Sequence, residues 1–347
     1  MQSVVFNIAG KLRLGVKAEK LIYSRIIRRI VVEYGYFKSQ ESFDETETDI
    51  SVTIGPIRNI PNNYVKIDGK YFIGEDWIYT FDKYKIAKWR VYISGFESNN
   101  SKLCIEPNLF ASDLIPPIIL TPLIGLQLFR NGLSLVHAGG VSRDNKAILF
   151  VGFGGSGKTS LVLRALEIGF KLLGDDHVIL DKGKVLPFPT AISLFKYNVP
   201  TKSIWAKNWN LELELKNWIQ KITLGYIYPV TKAEIKNTNL ISKDSKLSKV
   251  ILLEPSIVEH PIVEEITREE LVHSWIQNIF MDSIYFHKYL YAFSYGYDSE
   301  FIQRYLENLK EILQENLGGS RQFIRVIYPK GEVKGLFDYI SGVLEND

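Results

Sequence analysis

Residues 152–159, GFGGSGKT, match the pattern G-x-x-x-x-G-K-[ST] at every specified position. Each residue type in that pattern has a physical task at a polyphosphate. Gly152, Gly154, Gly155 and Gly157 let backbone N–H groups turn inward around phosphate oxygens without a Cβ in the way. Ser156 lies inside the same cradle, and Lys158 brings a point charge to the β/γ-phosphates. The hydroxyl of Thr159 suits Mg2+, and Ser160 follows at a helix start, where unpaired N–H donors and the positive dipole end favour anions. The expected chemistry is the binding of a nucleoside triphosphate.

A second cluster follows closely. Asp175 and Asp176 stand side by side after a short apolar run. Two carboxylates beside a phosphate cradle can hold Mg2+ through water, or one can accept a proton from an attacking hydroxyl. Adjacent like charges raise at least one of their pKa values, which suits a base. Taken alone, the pair is equally a strand-end turn, where Asp is common. His137 lies upstream in an apolar run, LSLVHAGGV at 133–141, and by itself reads as a strand histidine packed in a core.

The elements that must position these residues are visible on either side. Residues 133–141 and 147–151 read as two apolar strands joined by a turn at 143–146. Leu161, Val162, Ala165, Leu166 and Ile168 fall roughly on one helical face after the loop, and Gly169 supplies the stop. Residues 170–174 predict a strand ending at the acidic pair, so the carboxylates return beside Lys158 and Thr159. Residues 177–180 and 185–188, separated by DKGK, predict an immediate hairpin and hence a mixed rather than a doubly wound sheet. Farther on, helical patterns occupy 268–280 and 300–316, Gly318-Gly319 breaks the chain, and 322–328 reads as a strand.

The first 110 residues read mostly as short strands. DISVTI at 49–54 alternates as a half-buried strand does, and 89–93 is similar. Asp68-Gly69 between two strand-like runs predicts a type I′ hairpin. Residues 18–34 fit a helical face loosely, and a strand at 30–32 is an open alternative. A helix is expected from Thr121 as its cap, with Pro122 at its first position and Asn131-Gly132 at its end.

Composition narrows the class. The chain has 347 residues, 46% hydrophobic and 23% charged, with a net charge of +3. That balance carries no polyanion footprint, so no nucleic-acid partner is expected. The lysine-rich stretch 232–249 is interrupted by acids and reads as a solvated loop. The single cysteine, Cys104, excludes an intramolecular disulfide and any multi-cysteine zinc site. No signal peptide is read at the start, and the apolar stretch 114–129 is too short and too proline-broken to span a bilayer. A cytoplasmic protein without a membrane partner is the expectation.

Together these residues resemble the kinase domain of HPr kinase/phosphorylase and, more broadly, HPr-kinase-like proteins. The resemblance rests on VHA at 136–138, the loop 152–159, Gly169-Phe170 and Asp175-Asp176, and it covers about residues 133–180. It implies an α/β fold, an HPr-kinase-like P-loop domain with a mixed central sheet over 131–347; the strand-rich residues before it read as a β-rich N-terminal lobe over 1–130. It also implies an ATP- and Mg2+-dependent kinase acting on a hydroxyl, that of serine, in a protein, peptide or small molecule. By the same resemblance Asp176 takes the proton, Lys158 holds the β/γ-phosphates, and Thr159 holds the metal. His137 lies near the transferred group, and Asp175 supports it or joins the metal shell. Such domains are often homo-oligomers.

The chain also departs from the family. It has His177 where HPr kinases carry Arg after the acidic pair. The stretch PTAISLFKY at 189–197 has no carboxylate where the family places a metal-binding Glu, and the signature of phosphorolysis is missing. Two other readings stand beside the kinase: a P-loop small-molecule kinase of another family, and an ATP-binding regulatory or scaffold protein without turnover. A GTPase is unsupported, because Asn208-Trp209-Asn210 does not fit N-K-x-D.

Overall fold

A computed structural model describes residues 2–194, 214–215, 218–219, 221–223, 231–233, 235, 238–318, 322–329, 336–337 and 340. Residues 195–197, 208–210, 234, 236–237 and 319 of the segments considered above lie outside them. The chain divides into two compact units, Met1–Leu133 with Ser283–Ile312, and Ser134–Asp282 with Leu313–Asp347.

The first unit is built on a mixed sheet of eight strands. They are β1 (Gln2–Ile8), β2 (Leu12–Ala18), β3 (Ile50–Ile54), β4 (Val65–Ile67), β5 (Tyr71–Gly74), β6 (Trp77–Tyr84), β7 (Ala87–Ser94) and β8 (Ser101–Pro107). Their order is β1-β2-β3-β8-β7-β6-β5-β4, parallel at β2–β3 and β3–β8 and antiparallel elsewhere. In β7 the alternation is regular: Ala87, Trp89, Val91 and Ile93 are buried and the residues between them are not. Asp68 (φ 49°) and Gly69 (φ 66°) both take positive φ between β4 and β5, as the expected type I′ turn requires.

Two helices belong to this stretch. α1 (Ser24–Tyr34) buries Ile26, Ile27, Ile30, Glu33 and Tyr34. That spacing of one helical face excludes the alternative strand at 30–32. α2 (Thr121–Arg130) follows a wider π-type turn, Pro116–Leu120, and Asn131 closes it. The expected cap at Thr121 is corrected: the helical path has already started before it, and its Oγ1 instead meets Tyr34 Oη at 2.8 Å inside the core. A buried hydroxyl needs a partner more than an extended helix end needs a cap.

The second unit contains β9 (Ser134–Arg143), β10 (Lys146–Val151), α3 (Lys158–Glu167), β11 (Lys171–Gly174), β12 (His177–Asp181), β13 (Lys184–Leu186), β14 (Ile192–Leu194), β15 (Thr231–Ala233), β16 (Ser245–Ser256), β17 (Ile262–Glu265) and α4 (Arg268–Asp282). The chain then forms α5 (Ile284–Gly296) in the first unit. α6 (Phe301–Leu317) follows, then β18 (Gln322–Pro329) in the second. The main sheet runs β10-β9-β12-β13-β16-β18-β17, with β11 on β9, and a further β10–β16 pairing joins the first and fifth strands of that path. β10–β16 and β16–β18 are parallel and the other pairs antiparallel, so the expected mixed sheet is present. β12 and β13 form the expected hairpin.

Every residue of β10 after Lys146 is buried, which is why its sequence is a continuous apolar run. Phe150, Leu161, Val162, Ile251, Leu253, Ile324 and Val326 form the core around α3. Burying each such side chain contributes roughly 1.5–3 kcal/mol. Within 232–249, the solvated-loop reading is corrected at its end: β16 starts at Ser245, and Lys249 is buried in it. The strand is needed to pair β10 with β18. Asn316, buried at the end of α6, accepts from Lys182 N through its side chain and from Gly183 N through its carbonyl, anchoring the β12–β13 turn.

Candidate functional site

The strand β10 ends at Val151, and residues 152–157 lead directly into α3. A Cβ on Gly152 would lie 2.6 Å from Ser156 Oγ and 2.7 Å from Leu253 O, so only glycine lets the loop leave the sheet here. Gly157 caps α3 with φ 84°, a conformation that costs other residues energy, and offers no side-chain cap. Leu161 N makes the first backbone bond of the helix, to Gly157 O. The N–H groups of Lys158, Thr159 and Ser160 therefore have no intrahelical acceptor, and they carry the positive end of the helix dipole. Phe153, Gly154 and Gly155 are exposed, Ser156 is buried, and Thr159 and Ser160 are half-buried.

Lys158 is 6% exposed. Its Nζ donates to Gly152 O at 2.6 Å and to Phe153 O at 3.1 Å, folding the side chain back across the loop. Burial pushes the ammonium pKa below its ordinary value, and the carboxylates of Asp176, Asp282 and Asp175 counter that. The acidic pair is thus in electrostatic reach of the lysine, as its position after α3 and β11 leads one to expect.

Asp175 and Asp176 are held by the strand that carries His137. Ala138 N donates to Asp176 O at 3.0 Å, and His177 pairs with His137 in the β9–β12 register. α3 approaches β9 at Gly139, where a Cβ would come within 2.8 Å of Val162 Cγ2 and 3.3 Å of Asp175 O. The absence of a side chain at that point brings the helix, the acidic segment and the histidine strand together. Asp175 is 1% exposed and Asp176 half-buried.

Three contributors have no mark in the sequence. Asn278, buried on α4, donates to Gly152 O at 3.0 Å and to His137 O at 3.5 Å. Tyr328, buried on β18, donates to Ser156 O at 2.7 Å, and burial pushes its hydroxyl up to about 12. Asp282, the last residue of α4, places Oδ2 2.9 Å from His137 Nδ1 and 3.4 Å from His177 Nε2. Burial would raise the Asp282 carboxyl, but His137 and then His177 hold it well below the usual carboxylate range. For His137 burial acts first, lowering its pKa with help from Lys158 and against Asp282. His177 was a departure from a motif in the sequence; in the fold it shares a carboxylate with His137.

Among the described residues no helix is long and apolar enough to cross a membrane. No family model and no curated protein sequence matches the chain. Among solved structures it is similar to the Hpr(Ser) kinase/phosphatase from Coxiella burnetii, at 10% sequence identity and a TM-score of 0.26, over 61% of this chain and 89% of that one. A similarity of that size is a distant structural relationship and assigns no role to any residue here.

Proposed function

We propose that the chain is an ATP-dependent kinase whose acceptor is a hydroxyl, serine in a protein or peptide or the hydroxyl of a small molecule. The observation that carries this reading is the buried ammonium of Lys158. It is enclosed by the carbonyls of Gly152 and Phe153 and set within reach of Asp175, Asp176 and Asp282 at the open end of α3. Burying a cation costs several kcal/mol unless it has partners, and a fold that keeps one at a glycine-lined helix start favours a polyanionic ligand.

The residues fit a nucleotide triphosphate. The backbone has no Cβ at Gly154 and Gly155, and a Cβ built on either would meet nothing within 4 Å, so the rim has room for phosphate oxygens. In this reading the N–H groups of the loop and of Lys158, Thr159 and Ser160 hold phosphate oxygens, while Lys158 carries the β/γ charge. Mg2+ would neutralise charge on the phosphates, with Thr159, Asp175 and Asp176 as its protein-side ligands, directly or through water. Asp176, the less buried of the acidic pair, takes the proton of the acceptor hydroxyl as its oxygen bonds to phosphorus and the β–γ bridge breaks. His137 lies beside the transferred group. Positioning and charge neutralisation are the main contributions phosphoryl transfer needs.

Mg-ATP titration combined with transfer of labelled γ-phosphate to a cell extract tests the reading. Lys158→Ala is expected to remove binding. Asp176→Asn is expected to keep binding and abolish transfer. Wild-type protein that does not bind Mg-ATP overturns the proposal. Wild-type binding with no transfer to any acceptor replaces the kinase with an ATP-binding regulatory protein, a reading favoured by the missing family carboxylate in 189–197.

A further inference from the structure

The histidine pair and Asp282 make a cluster that phosphate binding does not require. His137 and His177 are direct partners across the antiparallel β9–β12 pair, so both rings stand on one face of the sheet, with centroids 5.2 Å apart. Asp282 closes the cluster from the end of α4. One donor atom of each residue lies within 4.8 Å of the other two. The two separations to Asp282 Oδ2, 2.9 and 3.4 Å, bracket the roughly 3.3 Å between ligand atoms around a tetrahedral metal with bonds of about 2.0–2.1 Å.

A further feature points to a ligand. His137 is 7% exposed, and its Nδ1, the ring nitrogen nearest Asp282, reaches that carboxylate at ion-pair distance without the alignment of a hydrogen bond. The helix that carries Asp282 is also tied to the histidine strand. Asn278, one helical turn before Asp282, ties α4 to the carbonyls of His137 and Gly152.

We propose that His137, His177 and Asp282 form a binding site for a divalent transition metal of the Zn2+ or Co2+ type. Two imidazoles and one carboxylate supply the borderline nitrogen and oxygen donors such ions prefer, whereas Mg2+ and Ca2+ select all-oxygen shells. Three protein ligands leave at least one coordination position open, in the manner of a non-structural site. The site shares His137 with the nucleotide reading but rests on the geometry of the three side chains alone.

Co2+ titration of the metal-stripped full chain, without nucleotide, tests the site. One equivalent is expected to give visible d–d absorption that Zn2+ displaces. His177→Ala and Asp282→Asn are each expected to weaken Co2+ by at least tenfold, while Lys158→Ala, which removes a neighbouring cation, does not weaken it. Side-chain 15N NMR of wild-type protein supplies a readout that does not depend on the variants folding: two histidines, assigned as His137 and His177, shift or broaden on adding metal. No d–d band, binding with undiminished affinity in the two variants, or metal effects on other histidines overturns the proposal. Because no nucleotide is present, those results leave the kinase reading standing, and failure of Mg-ATP binding leaves this site standing.

Discussion

The two units bury different kinds of polar group. In the first unit, cations are mostly met at the surface: Arg13 with Glu41 and Glu47, Lys17 and Lys102 with Glu45, and Arg90 with Glu106. Its interior is alternating strand faces and hydroxyl contacts such as Tyr34–Thr121. In the second unit Lys158, Asp175 and His137 are all buried around one loop. Surface pairs contribute about 0–1 kcal/mol, whereas burying a charge costs several kcal/mol unless its partners are good. Buried charge is therefore gathered around the 152–157 loop in the second unit, whereas in the first unit Glu33 of α1 is a buried carboxylate away from any such loop.

Equivalent core deletions sharpen the contrast most. Trp89→Ala in β7 and Phe150→Ala in β10 remove buried aromatic side chains, and each should cost about 3–5 kcal/mol in denaturant unfolding. Only Phe150→Ala, which lies beneath the loop, should also weaken nucleotide binding in calorimetry. Equal effects on binding would dissolve the distinction.

Lys158→Met tests two roles of one side chain. Mg-ATP affinity should fall by about 100-fold, or roughly 2.7 kcal/mol. Folding stability should fall too, by roughly 3–5 kcal/mol, because the buried Asp175 carboxylate loses its nearby cation. Unchanged nucleotide affinity in the folded variant would mean that the lysine is chiefly structural.

Asn278→Ala leaves the carbonyls of Gly152 and His137 without that donor. A loss of about 1–2 kcal/mol by thermal unfolding, with a several-fold weaker nucleotide affinity, is expected. Unchanged binding would detach α4 from the loop's function.

The smallest effect belongs to the first unit's surface. Hydrogen bonds from Lys17 and then Lys102 hold the Glu45 carboxyl below its ordinary value. A lowered folded pKa stabilises above the ordinary carboxylate range, and that contribution fades as pH falls through the folded value. Glu45→Gln should flatten the acid limb of the stability–pH curve slightly and leave nucleotide binding untouched.

Much of the second unit's site was legible in the sequence because its signals are local. The glycine pattern of 152–157, the apolar strand before it and the one-faced helix after it occupy consecutive residues, and all three are present as expected. The β12–β13 hairpin and the β4–β5 turn followed from Asp, Lys and Gly at turn positions. α5 was not read, because its aromatic sequence IYFHKYLYAFSYG buries residues around much of its circumference and has weak helical periodicity. The same helix belongs to the first unit, so that unit is discontinuous in sequence, whereas the sequence was divided once, at residue 130. Thr121 looked like a cap because capping is a sequence-local rule, but its hydroxyl was claimed by Tyr34, which no local rule could indicate.

What the sequence by itself determined about this protein is therefore the loop, its flanking strand and helix, and the acidic pair that follows. Backbone conformation there depends on residues a few positions apart, through glycine's freedom and the spacing of apolar side chains. Only the tertiary structure decided that Asn278 and Tyr328 hold the same loop, and that His137 and His177 share the carboxylate of Asp282. Those side chains come from a helix and strands far apart along the chain. Their convergence depends on strand register and helix packing, which are set by the burial of the whole core rather than by any short motif.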